Sequence, residues 1–375
     1  MLYNIITFGC QMNVHESEKI AGMLENMGYM PTSSKQQADI IVFNTCAIRG
    51  GAEDRAFGNI GNLKKMKKEK PNKIIAICGC MTQQEETAKK LHDMFPFVDI
   101  IIGTHNLYEL PNYIDKIKSG QKRIVNHFEN GKVVENVPVV RTSGDNAWVN
   151  IMYGCNNFCS YCIVPYVRGR EMSRKSEDII NECKNIIACG KYKKITLLGQ
   201  NVNSYNDETK ECYTFANLLN DICALDGDFE LTFMTSHPKD ISDEVIQIIA
   251  TQPKILKELH LPVQSGSNKI LKAMNRKYTR EHYLTIVKKL KEKVPNLRLT
   301  TDIIVGFPGE TEEDFNDTVD LVKQVKYDGI FAFMYSIRKG TLAEKMDGHI
   351  DEEIKNIRVN KILEIEKEIQ KQKGL

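Results

Sequence analysis

The feature that most limits the fold is a series of short apolar runs in the first hundred residues: LYNIITF from Leu2, ADIIVFN from Ala38, NKIIAIC from Asn72 and DIIIG from Asp99. The first three run on into cysteines, at Gly9-Cys10, Thr45-Cys46 and Gly79-Cys80. They are almost continuously apolar rather than alternating, the pattern of strands covered on both faces. After the first run, Ile20, Met23, Leu24 and Met27 recur at helical spacing. Strand and helix in alternation predict an α/β domain on a parallel sheet.

A second series begins at Ala147: AWVNIMYG, KKITLLGQN, FELTFMTS, ELHLPVQ, LRLTTDIIVGF and GIFAFMYS, with helix-length segments between. Six βα units in about 200 residues predict a partial (β/α)6 barrel rather than a doubly wound sheet. The tail from Asp351 reads as an amphipathic helix with Ile354, Ile357, Ile365 and Ile369 on its apolar side. The stretch from Ser119 to Asp145 is polar, contains an ENGK turn and reads as a linker carrying a small ribbon. The expected organisation is an N-terminal parallel α/β domain over 1–118, a linker over 119–140 and the barrel over 141–375. A length of 375 residues fits two or three domains.

A net charge of +2 supplies no global field for a polyanion, so any nucleic-acid surface is local. LKKMKKEKPNK, Leu63 to Lys73, reads first as a solvated helix face and second as a phosphate contact. The N-terminus has no basic lead or small-residue cleavage site, and no apolar run reaches the roughly 18 residues of a membrane helix. A cytoplasmic protein is expected, free of the membrane. Its eleven cysteines then read as ligands and buried fillers rather than disulfides.

Three of those cysteines crowd into GCNNFCSYC, Gly154 to Cys162. The spacing of Cys155, Cys159 and Cys162 is C-x3-C-x2-C. A zinc site closes with four ligands, and a ferredoxin run is spaced differently. Three thiolates on one loop can hold three irons of a four-iron cluster and leave the fourth open to a small molecule. On spacing alone a structural zinc loop stays as the alternative. The loop follows the first strand of the second series, at the strand end where such barrels place their chemistry. Gly199, Gln200 and Asn201 end the second strand, Ser236 the third and Gln264 the fourth. Asp302 and VGFPGE (Val305 to Glu310) lie on the fifth. Each alone is a cap or a turn; together they make a candidate small-ligand site. Cys10, Cys46 and Cys80 lie at carboxyl ends of parallel strands, the ends that line a ligand crevice. From the residues alone, a ligand trio and three ordinary buried cysteines stand equal. Cys78, Cys183, Cys189, Cys212 and Cys223 are given no ligand role. Arg168 and Arg170, in VRGRE, are candidates for substrate or cofactor contact. Trp148, His237 and His260 read as packing or turn residues.

The cysteine loop, with Tyr161 before its third cysteine, resembles that of the radical S-adenosylmethionine (SAM) enzymes. FGCQMN, NTCAIR and CGCMTQ resemble the N-terminal domain of the radical SAM methylthiotransferases, and the likeness spans essentially the whole chain. The resemblance implies two [4Fe-4S] clusters. One sits on Cys155, Cys159 and Cys162, its open iron chelated by SAM; the other, auxiliary, sits on Cys10, Cys46 and Cys80. It implies SAM contacts from Tyr161, Gly199, Gln200, Asn201, Ser236, Gln264, Asp302, Val305 and Phe307. Of these, the Gln200 region would meet the methionyl part and Val305 to Phe307 the adenine.

Several segments are similar to the MiaB-type branch, which methylthiolates N6-isopentenyladenosine beside the tRNA anticodon. They are NVHESEKIAGMLENMGY, CIVPYVRGRE, LLGQNVNSY, MTSHPKD, LPVQSGS, MNRKYTRE, TTDIIVGFPGETEEDF and YSIRKGT. The implied chemistry spends one SAM on methylating a sulfur and a second on the radical that removes hydrogen from C2 of the adenine. Threonylcarbamoyl-adenosine in tRNA and a ribosomal-protein aspartate are the alternative substrates. An electron carrier is the alternative of another class, and an open iron argues against it. The implied partners are a tRNA anticodon loop and an electron donor such as flavodoxin or ferredoxin, and a monomer is expected. Family members usually continue into a small β-barrel RNA-binding (TRAM) domain where this sequence stops, at Leu375. Gly50-Gly51 after NTCAIR predicts a looser loop around Cys46.

Overall fold

The computed structural model describes residues 1–47, 51–126 and 131–374. It forms two compact units. The first comprises Met1–Gly144, Tyr153–Cys155 and Ile163–Met172; the second comprises Asp145–Met152, Asn156–Cys162 and Ser173–Leu375. Among the described residues no helix is long and apolar enough to cross a membrane.

The chain begins β1 (Leu2–Thr7), α1 (Gln11–Asn26), β2 (Met30–Pro31), β3 (Ile40–Thr45), α2 (Ala52–Gly61), α3 (Lys64–Glu69) and β4 (Ile74–Gly79). It continues through α4 (Glu85–Met94), β5 (Ile100–Ile102), α5 (Leu110–Lys118) and β6 (Ile124–Asn126). The six strands make one parallel sheet in the order β2-β1-β3-β4-β5-β6. The apolar runs are continuous because both faces are covered. Ile40, Val42, Ile74, Ala76 and Cys78 pack with Ile20 and Leu24 of α1 and Ile114 of α5. Ile41, Phe43, Ile75 and Ile77 pack on the opposite face with Ile60 of α2 and Leu91 of α4. Each such aliphatic side chain contributes about 1.5–3 kcal/mol when fully buried. The strand order reverses between β1 and β3, and open sheets bind ligands at such a reversal, beyond the strand carboxyl ends.

The stretch read as a linker differs from expectation at Ile124–Asn126, which is the edge strand of this sheet, and the first unit runs on to Gly144. A three-residue strand among polar neighbours carries too little apolar pattern to announce itself. Glu129 and Asn130 of the ENGK turn, Ile48 and Arg49 of NTCAIR, and Gly50 lie outside the described residues. The lysine-rich stretch is mixed in role. Lys67 pairs with Asp99 at 2.8 Å, and Lys73 is buried against backbone carbonyls of Lys35 and Ala38. Lys65 stays at the surface.

Next come β7 (Asn146–Asn150), β8 (Met152–Tyr153), α6 (Val164–Arg168), β9 (Met172–Ser173), α7 (Ser176–Ala188), β10 (Lys194–Leu198), α8 (Phe215–Cys223), β11 (Glu230–Phe233) and α9 (Asp243–Thr251). The chain closes with β12 (Glu258–His260), α10 (Asn268–Ala273), α11 (Arg280–Lys293), β13 (Arg298–Val305), α12 (Glu312–Val325), β14 (Gly329–Met334) and α13 (Glu352–Lys373). Two parallel sheets, β11-β10-β7 and β12-β13-β14, are linked by a parallel bridge between Leu231 and Ile255. The result is the partial (β/α)6 barrel the strand count predicts. Helix starts follow local chemistry: Ser242, Ser267, Thr279 and Thr311 each accept a backbone N–H of the first turn, and Thr311 with Asp314 forms a capping box.

Strand faces divide cleanly. Leu299, Ile303 and Val305 join the core under the helices. Asp302 and Ile304 therefore point the other way, and their register partners are Phe331 and Phe333. The tail helix also differs from expectation. Ile354 and Ile357 are exposed, whereas Arg358, Ile362, Ile365 and Ile369 are buried. Arg358 decides the rotation: it reaches Glu310 at 2.6 Å, and the stripe 358, 362, 365, 369 keeps helical spacing behind it.

Candidate active site

In the first unit, Gly9 (φ +121°) and Gly79 (φ +104°) turn the chain sharply off β1 and β4, one residue ahead of Cys10 and Cys80. Neither position accepts a side chain. A Cβ on Gly9 would lie 2.7 Å from Cβ and 3.0 Å from Sγ of Cys46, and one on Gly79 would lie 2.3 Å from the Thr45 carbonyl oxygen. The strand ends are thereby drawn together around the cysteines. Asn13, fully buried, ties them: its Nδ2 donates to the carbonyls of Phe8 (2.8 Å) and Thr45 (2.9 Å). Its Oδ1 accepts from Arg168 Nη2 at 2.8 Å and lies 4.0 Å from Cys80 Sγ. Arg168, buried, also donates to Glu16 at 2.7 and 3.2 Å. Burial pushes the Cys80 thiol up to about 12; Arg168 opposes that, and Glu16, Cys46 and Cys10 add to it. Cys80 is thus within electrostatic reach of both other cysteines. A thiol held protonated by burial is a poor nucleophile; a bound metal would be what makes it a thiolate.

The loop bearing the other trio crosses between the units in sequence: Cys155 belongs to the first, Cys159 and Cys162 to the second. Gly154 (φ +68°) precedes it, and a Cβ there would lie 2.1 Å from the Arg170 carbonyl oxygen. Gly154→Ala is expected to cost about 1–3 kcal/mol of backbone strain. It should also displace Cys155, whose N–H bonds the Gly169 carbonyl at 3.2 Å. Iron content after reconstitution and the urea midpoint are the measurements that check it. In the second unit the Cys162 N–H bonds the Cys159 carbonyl at 2.9 Å, and Arg276 Nη1 lies 3.4 Å from Cys159 Sγ. Tyr161 packs edge-on against Phe307, ring centres 6.5 Å apart.

The strand ends of the second unit hold the other expected residues. Gly199 is tight: a Cβ would lie 2.5 Å from Met152 Cγ. Asn201, buried, donates to Asp240 at 2.7 Å. Gln264, at φ +72°, bridges to Ile303 of β13. Among the described residues, Asn201 Oδ1, Ser236 Oγ and Gln264 Oε1 are buried polar atoms without a hydrogen-bond partner, as are both amide atoms of Asn150 and Nδ2 of Asn203. Buried polar atoms without a protein partner are met by ordered water or by a ligand, and these six lie at or beside the strand ends where a ligand would sit. Asp302 lies 3.3 Å from His260 Nε2, while His260 Nδ1 is 2.9 Å from Thr300 Oγ1 and its ring sits edge-on to Phe331. His260 thus packs on Phe331, as expected of a packing residue, and also joins this polar face. Val305 and Phe307 are fully buried. Val305 faces the helices, and Phe307 lies in a cluster with Ile270, Met274, Tyr335 and Ala343. Any adenine contact from this segment comes from its backbone, which Gly306 (φ +68°) turns and Glu310 holds by accepting the Gly306 N–H at 2.9 Å.

His237, buried beside this group, offers a pH test. Burial, with Arg276 and Lys239, holds its imidazole down at about 2. Its Nδ1 accepts the Lys239 N–H at 3.2 Å, and Asp240 at 3.9 Å is too distant to rescue a proton there. In the unfolded chain histidine titrates near 6.5. Below about pH 6.5 the unfolded state takes up a proton that the folded state refuses, so stability is full above that pH and falls beneath it. The slope reaches about 1.4 kcal/mol per pH unit from this residue. His237→Asn, whose Oδ1 can accept the same N–H, should flatten the decline of the apoprotein's urea midpoint between about pH 6.5 and 5.

Comparison with known proteins bears on what these sites hold. Residues 149–322 match the model of the radical SAM superfamily, and residues 2–103 that of "Uncharacterized protein family UPF0004". The proteins named tRNA-2-methylthio-N(6)-dimethylallyladenosine synthase include one from Carboxydothermus hydrogenoformans, 53% identical over 97% of this chain and 83% of its own length. Another, from Thermoanaerobacter pseudethanolicus, is 51% identical over 100% and 79%. The chain belongs to the radical SAM tRNA methylthiotransferase family. Among solved structures, the radical SAM methyltransferase TsrM from Kitasatospora setae, with cobalamin and a [4Fe-4S] cluster bound, superposes with a TM-score of 0.66. It does so at 13% identity over 92% of this chain and 77% of its own, a likeness of fold.

The cofactors of a radical SAM methylthiotransferase are two [4Fe-4S] clusters and SAM, and the residues fit them. Two trios of cysteine thiols are the donor set such clusters take, each thiolate on its own iron. The unpartnered amide and hydroxyl atoms at the strand ends suit the amino, carboxylate and ribose groups of SAM. Sequence reasoning missed Asn13, Asn150, His260 and Arg276. Asn13, three residues past Cys10, was the most accessible of these, because a polar residue so close to a cysteine on a helix facing the sheet has to bond something.

Proposed function

We propose that this chain is a transferase that adds a methylthio group to C2 of N6-isopentenyladenosine beside the tRNA anticodon, with SAM as methyl donor and as radical source. The observation that carries the reading is 51–53% identity to tRNA-2-methylthio-N(6)-dimethylallyladenosine synthases over nearly the whole chain. No observation favours threonylcarbamoyl-adenosine or a ribosomal-protein aspartate.

In this reading Cys155, Cys159 and Cys162 hold one cluster, and Cys10, Cys46 and Cys80 the auxiliary one. When bound, the first supplies the electron that cleaves SAM to methionine and a 5′-deoxyadenosyl radical. Asn201, Ser236 and Gln264 bind SAM through their unpartnered atoms. Gly199 and Gln200 shape the turn that approaches it, Asp302 with His260 adds a polar wall, and the Val305 to Phe307 backbone meets the adenine. Tyr161 fixes the cluster loop by packing on Phe307. Asn13 and Arg168 hold the strand ends that carry the auxiliary trio. The domain reading is an N-terminal auxiliary-cluster domain, whose sheet takes in the edge strand Ile124–Asn126, followed by the radical SAM barrel. An electron donor such as flavodoxin or ferredoxin, a monomeric state and a cytoplasmic location complete the proposal.

The test is mass spectrometry of anticodon-loop nucleosides from cells with and without the gene. Loss of methylthio-isopentenyladenosine, with isopentenyladenosine accumulating, is expected; an unchanged methylthio level rejects the substrate.

A further inference from the structure

Arg276 follows α10 and is 7% exposed. Its side chain is fully engaged. Nη2 donates to the Pro262 carbonyl at 3.1 Å, Nε to the Tyr278 hydroxyl at 3.0 Å, and the guanidinium lies 5.1 Å from the Tyr278 ring centre. The Tyr278 hydroxyl in turn donates to the Val263 carbonyl at 2.7 Å, which locks the stack. What remains, Nη1, lies 3.4 Å from Cys159 Sγ.

Among the described residues no carboxylate lies within ion-pair distance of Arg276. Arg168 in the first unit is buried as deeply, but there Glu16 balances it at 2.7 Å. A buried cation without an opposite charge is strongly unfavourable. What Arg276 Nη1 faces is the Cys159 sulfur and whatever that sulfur binds.

We propose that Arg276 is a positioning residue for the cluster on Cys155, Cys159 and Cys162, raising its reduction potential through a fixed positive charge and an N–H donated to the Cys159 sulfur. The inference rests on the reading of these cysteines under Proposed function. Hydrogen bonds to cluster sulfurs and local charge are the levers a protein has on such a potential. The step it eases is uptake of one electron by the cluster from a low-potential one-electron donor. No proton accompanies the electron, because arginine stays charged throughout.

The test uses the full chain with both clusters. Protein labelled with ¹⁵N-arginine is reduced with dithionite, and the cluster signal that changes on adding SAM is examined by pulsed EPR. A ¹⁵N hyperfine coupling is expected, and its loss in equally labelled Arg276→Lys assigns it. In EPR-monitored redox titrations the midpoint of the same signal should move to more negative potential in Arg276→Lys and further in Arg276→Gln. A SAM-responsive signal without ¹⁵N coupling, or a midpoint unmoved in a variant of normal iron content, overturns this inference alone. Absence of any SAM-responsive signal in the wild type overturns the reading beneath it.

Discussion

Replacing Cys155, Cys159 and Cys162 together with alanine is expected to halve the iron held after anaerobic reconstitution, from about eight to about four atoms per chain, and to abolish 5′-deoxyadenosine formation. Each thiolate of a trio holds a different iron, so a trio works as a unit. Replacing Cys10, Cys46 and Cys80 should also remove about four irons, yet 5′-deoxyadenosine should still form from SAM and reductant while methylthiolation is lost. The asymmetry between the two variants is the informative result. Equal loss of SAM cleavage in both would show that the trios do not divide the labour as proposed. Full iron in either variant would remove its trio from the ligand set.

Arg168→Met is expected to destabilise the first unit by about 3–5 kcal/mol, because it strands the Glu16 carboxylate, itself buried, without its cation. It also removes the donor that orients Asn13 Oδ1 toward Cys80. Hydrogen exchange is the suitable measurement, since the single tryptophan, Trp148, lies in the second unit. Peptides from β1, β3 and β4 should lose protection while those from β10 and β13 keep theirs. Pairing Arg168→Met with Glu16→Leu should restore most of the loss, because a buried ion pair replaced as a whole is close to neutral. Failure of the second change to restore protection would show that Arg168 acts through packing or its bond to Asn13 rather than through the ion pair.

The apolar runs made the parallel sheet and the barrel strands legible, because burial on both faces leaves no polar position to interrupt them. Gly-Cys at the ends of β1 and β4 was legible for the same reason, as punctuation after an uninterrupted run. Other features depend on distant partners that no local pattern encodes. The edge strand Ile124–Asn126 is defined by β5, not by its own three residues. The face that α13 buries is set by Glu310, 48 residues earlier, so Ile354 and Ile357 point outward despite their hydropathy. His260 reads as an ordinary strand residue until Asp302 and Thr300 are brought beside it. Arg276 and Cys159 are 117 positions apart, and their contact exists only in the folded chain.

The grip of Arg358 on Glu310 sets a practical limit on how short a working fragment can be. Burial pushes the Glu310 carboxyl up, and the Gly306 N–H and Arg358 hold it down. A piece trimmed to 149–322, where the superfamily match stops, would strip that carboxylate of its cation. The group would tend to take a proton and slacken its hold on Gly306, so the backbone loop proposed to meet the adenine would lose its anchor. Expression designs meant to retain SAM should therefore extend beyond Ile369.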